Sequence, residues 1–135
     1  MDDAIAIARK QAPTQAEPRP ARRKVLVVDD QDASAQTLAE VLEMLGHTVE
    51  IAMDGPSAVA KARANPPDVV ICDIGMPGMS GCDVARALRA AGLAARLLAL
   101  SGYARPDDVE AAIAAGFDAY VVKPADIDEL ERLLA

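Results

Sequence analysis

Asp73 stands where an apolar run, Val69-Val70-Ile71-Cys72, meets Ile74-Gly75-Met76-Pro77-Gly78-Met79-Ser80-Gly81, a stretch too rich in Gly and Pro to extend a strand or a helix. A lone carboxylate is thereby offered at the mouth of a buried strand. A second apolar run, Val25-Leu26-Val27-Val28, ends in Asp29-Asp30, and two later runs end in Ser101 and Lys123. Strand ends that converge, as they do in an open parallel sheet, gather acid, acid, hydroxyl and ammonium into one crevice. Such a crevice suits a divalent metal and a phosphoryl group, with Asp73 as the acceptor.

Three carboxylates cannot share a small crevice unaided. At about 4 Å and an effective dielectric of about 20, each pair repels by roughly 4 kcal/mol, so a cation must sit among them. Mg²⁺ suits the task, being a hard ion that takes one or two carboxylates, retains waters and completes its shell with phosphate oxygens. Lys123 adds a fixed positive point charge for the same phosphoryl group. Ser101 can donate a hydroxyl hydrogen bond to it, and Gly102 has no side chain to obstruct the donor. In-line phosphoryl transfer needs little more than a positioned nucleophile and neutralised equatorial oxygens. No general base is required, because a carboxylate is already anionic at neutral pH.

The elements that position these groups follow from periodicity. The first strand is read over Lys24 to Asp29. A helix follows, with Asp32 as N-cap, Leu38, Val41, Leu42 and Leu45 on one face, and Gly46 as its stop. A second strand spans His47 to Ala52, and Pro56 suits the first position of a helix running to about Ala64. Asp68 to Cys72 forms a third strand, before a helix carrying Val84 and Leu88. Arg96 to Leu100 is a fourth strand, followed by a helix from about Pro106 to Ala115 closed by Gly116. Ala119 to Val122 makes a fifth, and a last helix, Asp126 to Leu134, carries Ile127, Leu130, Leu133 and Leu134. Five β-α units in succession call for a parallel sheet covered on both faces through right-handed crossovers.

Composition narrows the function. The 135 residues, 52% hydrophobic, suffice for one domain with a real core. Aromatics make up only 2%, with no Trp, which leaves no stacking platform for bases or sugars. Residues 1 to 23 hold five basic and three acidic groups, against nine basic and eighteen acidic from residue 24 onward. So acidic a body repels nucleic acid and anionic membranes alike, and the expected partner is a protein, or a small phosphorylated donor met through a metal. Residues 1–22, with Pro13, Pro18 and Pro20, read as a flexible leader with room for a short helix at Ile5 to Lys10; residues 23–135 read as the domain proper. The Arg19, Arg22, Arg23, Lys24 cluster at the junction of leader and domain is better read as a solvated linker than as an anion contact. Cys72 and Cys82 have no metal-ligand spacing, and Cys72 reads as a small buried hydrophobe. With no signal-peptide core and no apolar stretch long enough to span a bilayer, a cytoplasmic protein is expected.

Val27-Val28-Asp29-Asp30, Asp73 with Met76-Pro77-Gly78-Met79-Ser80-Gly81, Leu100-Ser101-Gly102-Tyr103 and Tyr120-Val121-Val122-Lys123-Pro124 together resemble the receiver domain of two-component response regulators. The similarity runs from about residue 24 to 135. It implies an α/β, flavodoxin-like (βα)5 three-layer sandwich with a five-stranded parallel sheet in order 2-1-3-4-5. It further implies that Asp73 accepts a phosphoryl group from a phosphohistidine of a histidine kinase or histidine phosphotransfer protein. Asp29, Asp30, Asp73 and the Gly75 carbonyl would hold Mg²⁺, with Mn²⁺ as a substitute, and Lys123 would bind the phosphoryl group before a commonly cis bond to Pro124. Ser101 and Tyr120 match the family's conformational switch pair. Two departures stand out: Gly75 offers no side chain at a position the family uses to tune acyl-phosphate lifetime, and the last helix is short. The pairing of Asp73-Ile74-Gly75-Met76-Pro77 with Leu100-Ser101-Gly102-Tyr103 is similar to receivers of hybrid sensor kinases, which implies a phosphorelay role with no output domain on this chain.

Two other readings compete. A phosphatase of the haloacid-dehalogenase type also uses a strand-end Asp with Mg²⁺, but it calls for a second acid two residues on, where this chain has Gly75. A receiver fold that only binds partners usually lacks one of the acids or the lysine, and here all are present.

Overall fold

Strands that are apolar at nearly every position need cover on both faces, and a parallel sheet flanked by its own crossover helices provides it. The computed structural model describes residues 22–102 and 105–135. Its elements alternate without exception: β1 (Lys24–Val28), α1 (Asp32–Met44), β2 (Thr48–Ala52), α2 (Gly55–Ala64), β3 (Val69–Asp73), α3 (Gly81–Ala90), β4 (Arg96–Ser101), α4 (Pro106–Ala115), β5 (Ala119–Val122) and α5 (Ile127–Leu134). All strand pairings are parallel, in the order β2-β1-β3-β4-β5. The flavodoxin-like topology expected from the resemblance is the one found.

Side chains alternate across each strand, so each strand feeds two cores. Leu26, Val28, Val70, Cys72, Leu97 and Ala99 pack with α2, α3 and α4 through Ala58, Val84, Leu88 and Ala112. Val25, Val27, Val69, Ile71, Leu98 and Leu100 pack on the other face with Ala35 and Leu42 of α1 and Leu130 and Leu134 of α5. Helices α1 and α3 therefore lie on opposite faces although β1 and β3 are neighbours. The chain leaves those two strands in opposite directions, and a crevice opens between their C-terminal ends.

Local chemistry sets the boundaries. Asp54 and Asp126 cap α2 and α5, their carboxylates accepting from the Ser57 and Asp128 N–H groups at 2.7 and 2.9 Å. Gly46 (φ +98°) and Gly116 (φ +119°) supply the left-handed residues that end α1 and α4. Asp32 is not the cap of α1 but its first residue, after an N-cap Gln31 that makes no side-chain cap bond. Its charge lies at the positive end of the helix dipole instead. Pro56 takes the second helical position, because Gly55 already has helical geometry. Strands β3 and β4 run one residue beyond the expected ends, to Asp73 and Ser101, since the ladder continues through Ile74 N–H to Leu100 O and Lys123 N–H to Ser101 O. The helix expected at Ile5 to Lys10, and Tyr103, lie outside the described residues. No helix among the described residues is long and apolar enough to cross a membrane.

Candidate functional site

Asp29 and Asp73 follow the last apolar residues of β1 and close β3, the two strands flanking the crevice. Asp29 stays tied to the sheet, its N–H donating to Ala52 O at 3.1 Å, and only 3% of the residue is exposed. Each carboxylate is oriented by the backbone two residues on: Gln31 N–H donates to Asp29 Oδ1 and Gly75 N–H to Asp73 Oδ1, both at 2.9 Å. These are Asx turns, the local geometry that Asp adopts where a strand breaks into a loop. Asp30 is exposed beside them, and the three acids place carboxylate oxygens within 4.8 Å of one another.

Lys123 reaches the same point from the end of β5. Its Nζ donates to Asp73 Oδ2 at 3.0 Å and lies 3.8 Å from Asp29 Oδ2. Burial pulls the ammonium's pKa down, but the Asp73 hydrogen bond and the charges of Asp73, Asp29 and Asp30 outweigh it, so the net shift is upward. The lysine is thus held firmly as a cation. The bond from Lys123 to Pro124 is cis.

The four charged groups singled out in the sequence are therefore brought together. Ser101 is buried at the end of β4, in register with Val122. Tyr120 lies opposite Ala99, half-buried against the core under α2 to α4. Ser101 shares the face of Ala99 by the two-residue period, so Ser101 and Tyr120 occupy the same side of the sheet. At Gly75 an added Cβ would sit 3.5 Å from Asp73 Oδ1, an ordinary contact, and at Gly102 it would meet nothing within 4 Å. The orienting amides of Gln31 and Gly75 escaped the sequence reading. An Asp two residues before a loop amide is the signal that could have found them.

Carboxylate oxygens drawn together with no imidazole or thiolate form a donor set for a hard cation. Cys72 does not alter this: burial, and then the neighbouring Asp73 charge, push its thiol upward, so it stays protonated. The chain's only histidine, His47, caps no part of this cluster and precedes β2 at the opposite end of the sheet.

Residues 25–135 match the response regulator receiver domain. The chain belongs to the response regulator receiver family. Among curated relatives, the receiver is 41% identical over 106 residues to the probable transcriptional regulatory protein TcrX of Mycobacterium tuberculosis, covering 78% of this chain and 45% of that protein. It is 43% identical over 112 residues to KdpE of the same species, covering 82% and 49%. A gliding motility regulatory protein of Myxococcus xanthus is 37% identical over 124 residues, which is 90% of this chain and 16% of that protein. The receiver thus spans about half the length, or less, of these relatives. Among solved structures, the Vibrio cholerae chemotaxis protein CheY4 superposes with a TM-score of 0.79 at 34% identity, covering 84% of this chain and 97% of that one. Membership places the receiver in two-component signalling, not in metabolic catalysis.

Proposed function

We propose that this receiver takes a phosphoryl group onto Asp73 from a phosphohistidine of a histidine kinase or histidine phosphotransfer protein. The observation that carries this reading is the Lys123 ammonium at 3.0 Å from Asp73 Oδ2, inside a cluster of three carboxylates. An Asp73 oxygen attacks phosphorus while the phosphorus–nitrogen bond breaks and the imidazole nitrogen keeps the electron pair. Lys123 stands ready to leave the Asp73 carboxylate and bind the transferred group. Asp29, Asp30, Asp73 and the Gly75 carbonyl would hold Mg²⁺, or Mn²⁺ in its place, which would supply charge neutralisation at the phosphoryl oxygens. The same site later lets water cleave the acyl phosphate. Next to Lys123, an apolar groove of about 560 Å³ between α1 and α5, lined by Leu38, Val41 and Pro124, gives the donor protein a place to land.

The output step follows from charge. A phosphoryl group adds about −1.5 to −2 at pH 7, and it redistributes two conformations only by as much as its contacts differ between them. Ser101, buried at the strand end, donates to the phosphoryl group, and Tyr120 on the same face responds. A coupling of about 1–3 kcal/mol is ordinary for such a pair. We assign the working domain to residues 23–135 and the leader to 1–22. Arg23 supports that boundary, its N–H donating to His47 Nδ1 at 3.0 Å and its Nε to Leu134 O at 2.8 Å. A cytoplasmic setting follows from the phosphohistidine donor, and no direct contact with nucleic acid or membrane is assigned.

Incubation with acetyl phosphate or phosphoramidate tests the reading. One phosphoryl group should add, by intact mass, only when Mg²⁺ is present, and Asp73→Asn should remain unmodified. Equal labelling of the Asn variant, or labelling indifferent to chelation, would remove Asp73 from its role.

A further inference from the structure

The segment Ile74–Ser80 carries the Gly75 amide that orients Asp73, yet it contains two glycines, Gly75 and Gly78 (φ +72°), whose backbones are the least restrained. Its base is closed: Ile74 N–H donates to Leu100 O at 3.1 Å, and Gly81 lies so near the Ile74 and Asp73 backbone that a Cβ there would come within 2.5 Å of Ile74 Cα. Met76 is 6% exposed and fixes the middle of the segment in the core. Toward Ser80 the segment is held by the α3 capping box, in which Ser80 N–H donates to Asp83 Oδ2 at 3.1 Å, by the Gly81 N–H donating to Ile74 O at 3.4 Å, and by Met79. Its side chain packs on Gly55, where an added Cβ would lie 2.6 Å from Met79 Cγ and Sδ and 2.7 Å from Met79 Cβ.

That last distance matters most. Cγ and Sδ can swing away by a rotamer change, but Cβ is fixed to the main chain, so a side chain at position 55 must displace the segment itself. The surface beneath Met79 is firm. Gly55 is buried at the start of α2, behind the Asp54 cap, and Ala52, three residues earlier, accepts the Asp29 N–H at 3.1 Å. The β2–α2 junction, whose Asp54 caps α2 and is not one of the three clustered acids, is thus in contact with both acid-bearing loops.

We propose that Met79, seated on Gly55, is a positioning residue that sets the Ile74–Ser80 segment, and through the Gly75 amide the Asp73 carboxylate, for metal binding and phosphoryl transfer. The metal and transfer clauses rest on the function proposed above; the positioning clause does not. Gly55→Ala should shift the Gly75 amide resonance and speed its hydrogen exchange in the metal-free receiver, and weaken Mg²⁺ binding, read by calorimetry, about tenfold, as loss of an orienting partner does. Met79→Ala, which adds no atom, should speed Gly75 exchange and weaken Mg²⁺ binding in the same direction, and Met79→Leu should restore both. Ala62→Gly, which loosens the far end of the same helix, should leave both unchanged. Unaltered Gly75 exchange in both Gly55→Ala and Met79→Ala would overturn the proposal, as would an equal effect from Ala62→Gly. Should the unaltered receiver take up no Mg²⁺, the proposed function fails, while the metal-free exchange data still decide the positioning.

Discussion

At the N-terminal ends of the strands, Asp118 accepts from the Leu97 N–H at 2.8 Å and from Arg89 Nη2 at 2.9 Å, while Arg89 also donates to the carbonyls of Leu93, Ala95 and Gly116. Lys24 N–H donates to Asp68, and Arg96 to Leu133 O and Ala135 O. Charge at this end is consumed in fastening one element to the next. At the C-terminal ends, three carboxylates face the single ammonium of Lys123. Like charges there are held together by the fold against their own repulsion, and the surplus negative field remains available to a cation. The sheet thus separates the charges that hold the domain together from those that await a ligand.

Substitutions at the two ends should change stability with opposite sign. The largest change concerns Arg89→Ala, which strips four partners, the Leu93 and Ala95 carbonyls of the α3–β4 loop and the Gly116 carbonyl and Asp118 carboxylate after α4. Hydrogen bonds to a charged group contribute about 1.5–3 kcal/mol, and the side chain is only 30% exposed, so urea denaturation should show a loss of about 2–3 kcal/mol. Phosphoryl labelling well below the transition should be unchanged. A loss under about 0.5 kcal/mol would mean that this end is not the fastening its geometry describes.

Asp30→Asn should move the other way. It relieves repulsion from Asp29 and Asp73 and leaves the Asp73–Lys123 contact in place, so the metal-free domain should gain about 1 kcal/mol, a figure discounted for the exposure of Asp30. With Mg²⁺ added, the gain should shrink or reverse, because the parent then acquires a ligand that binds its native state. Thermal melts with and without Mg²⁺ check both halves. A variant less stable than the parent without metal would show that the acids are not under mutual repulsion.

Most of the acid end was legible in the chain because strand, break and acid recur in order. Val69 to Cys72 followed by Asp73, and Val25 to Val28 followed by Asp29, state both the strand and the direction in which it ends. What the sequence hid was relational. Nothing in the spacing of Gly55 and Met79 says that one rests on the other, since that contact requires α2 and the β3–α3 loop to lie on the same face. Asp32 misled because an Asp before an apolar helix normally caps it, whereas here Asp29 already orients the Gln31 N–H. The fastenings at the other end run between residues as far apart as Arg23 and Leu134, or Arg89 and Gly116, and local patterns carry no trace of them. Ile113, Val122 and Ile127, each more than 40% exposed on α4, β5 and α5, likewise stood unmarked among the acids around them.

The smallest predicted effect separates the two ends by pH. His47 is buried, and its Nδ1 accepts the Arg23 N–H at 3.0 Å, a bond available only to the neutral ring. Burial and then the Arg23 charge hold its pKa below 6.5, against a weaker upward pull from Glu131. Below pH 6.5 the unfolded chain takes up a proton that the native ring refuses, so stability present above that pH is lost as pH falls through the lowered native value. At the acid end the sign inverts: Lys123, raised above 10.5, contributes stability that is complete below that pH and disappears as pH rises through its elevated value. His47→Gln keeps an acceptor for the Arg23 N–H but cannot titrate. As His47 is the only histidine, the difference between the two proteins' stability-versus-pH curves from 7 down to 5 should isolate its contribution, with the variant flatter below 6.5. Parallel curves would mean that His47 takes its proton equally in both states, and that the Arg23–His47 bond does not make the N-terminal end pH-sensitive in this range.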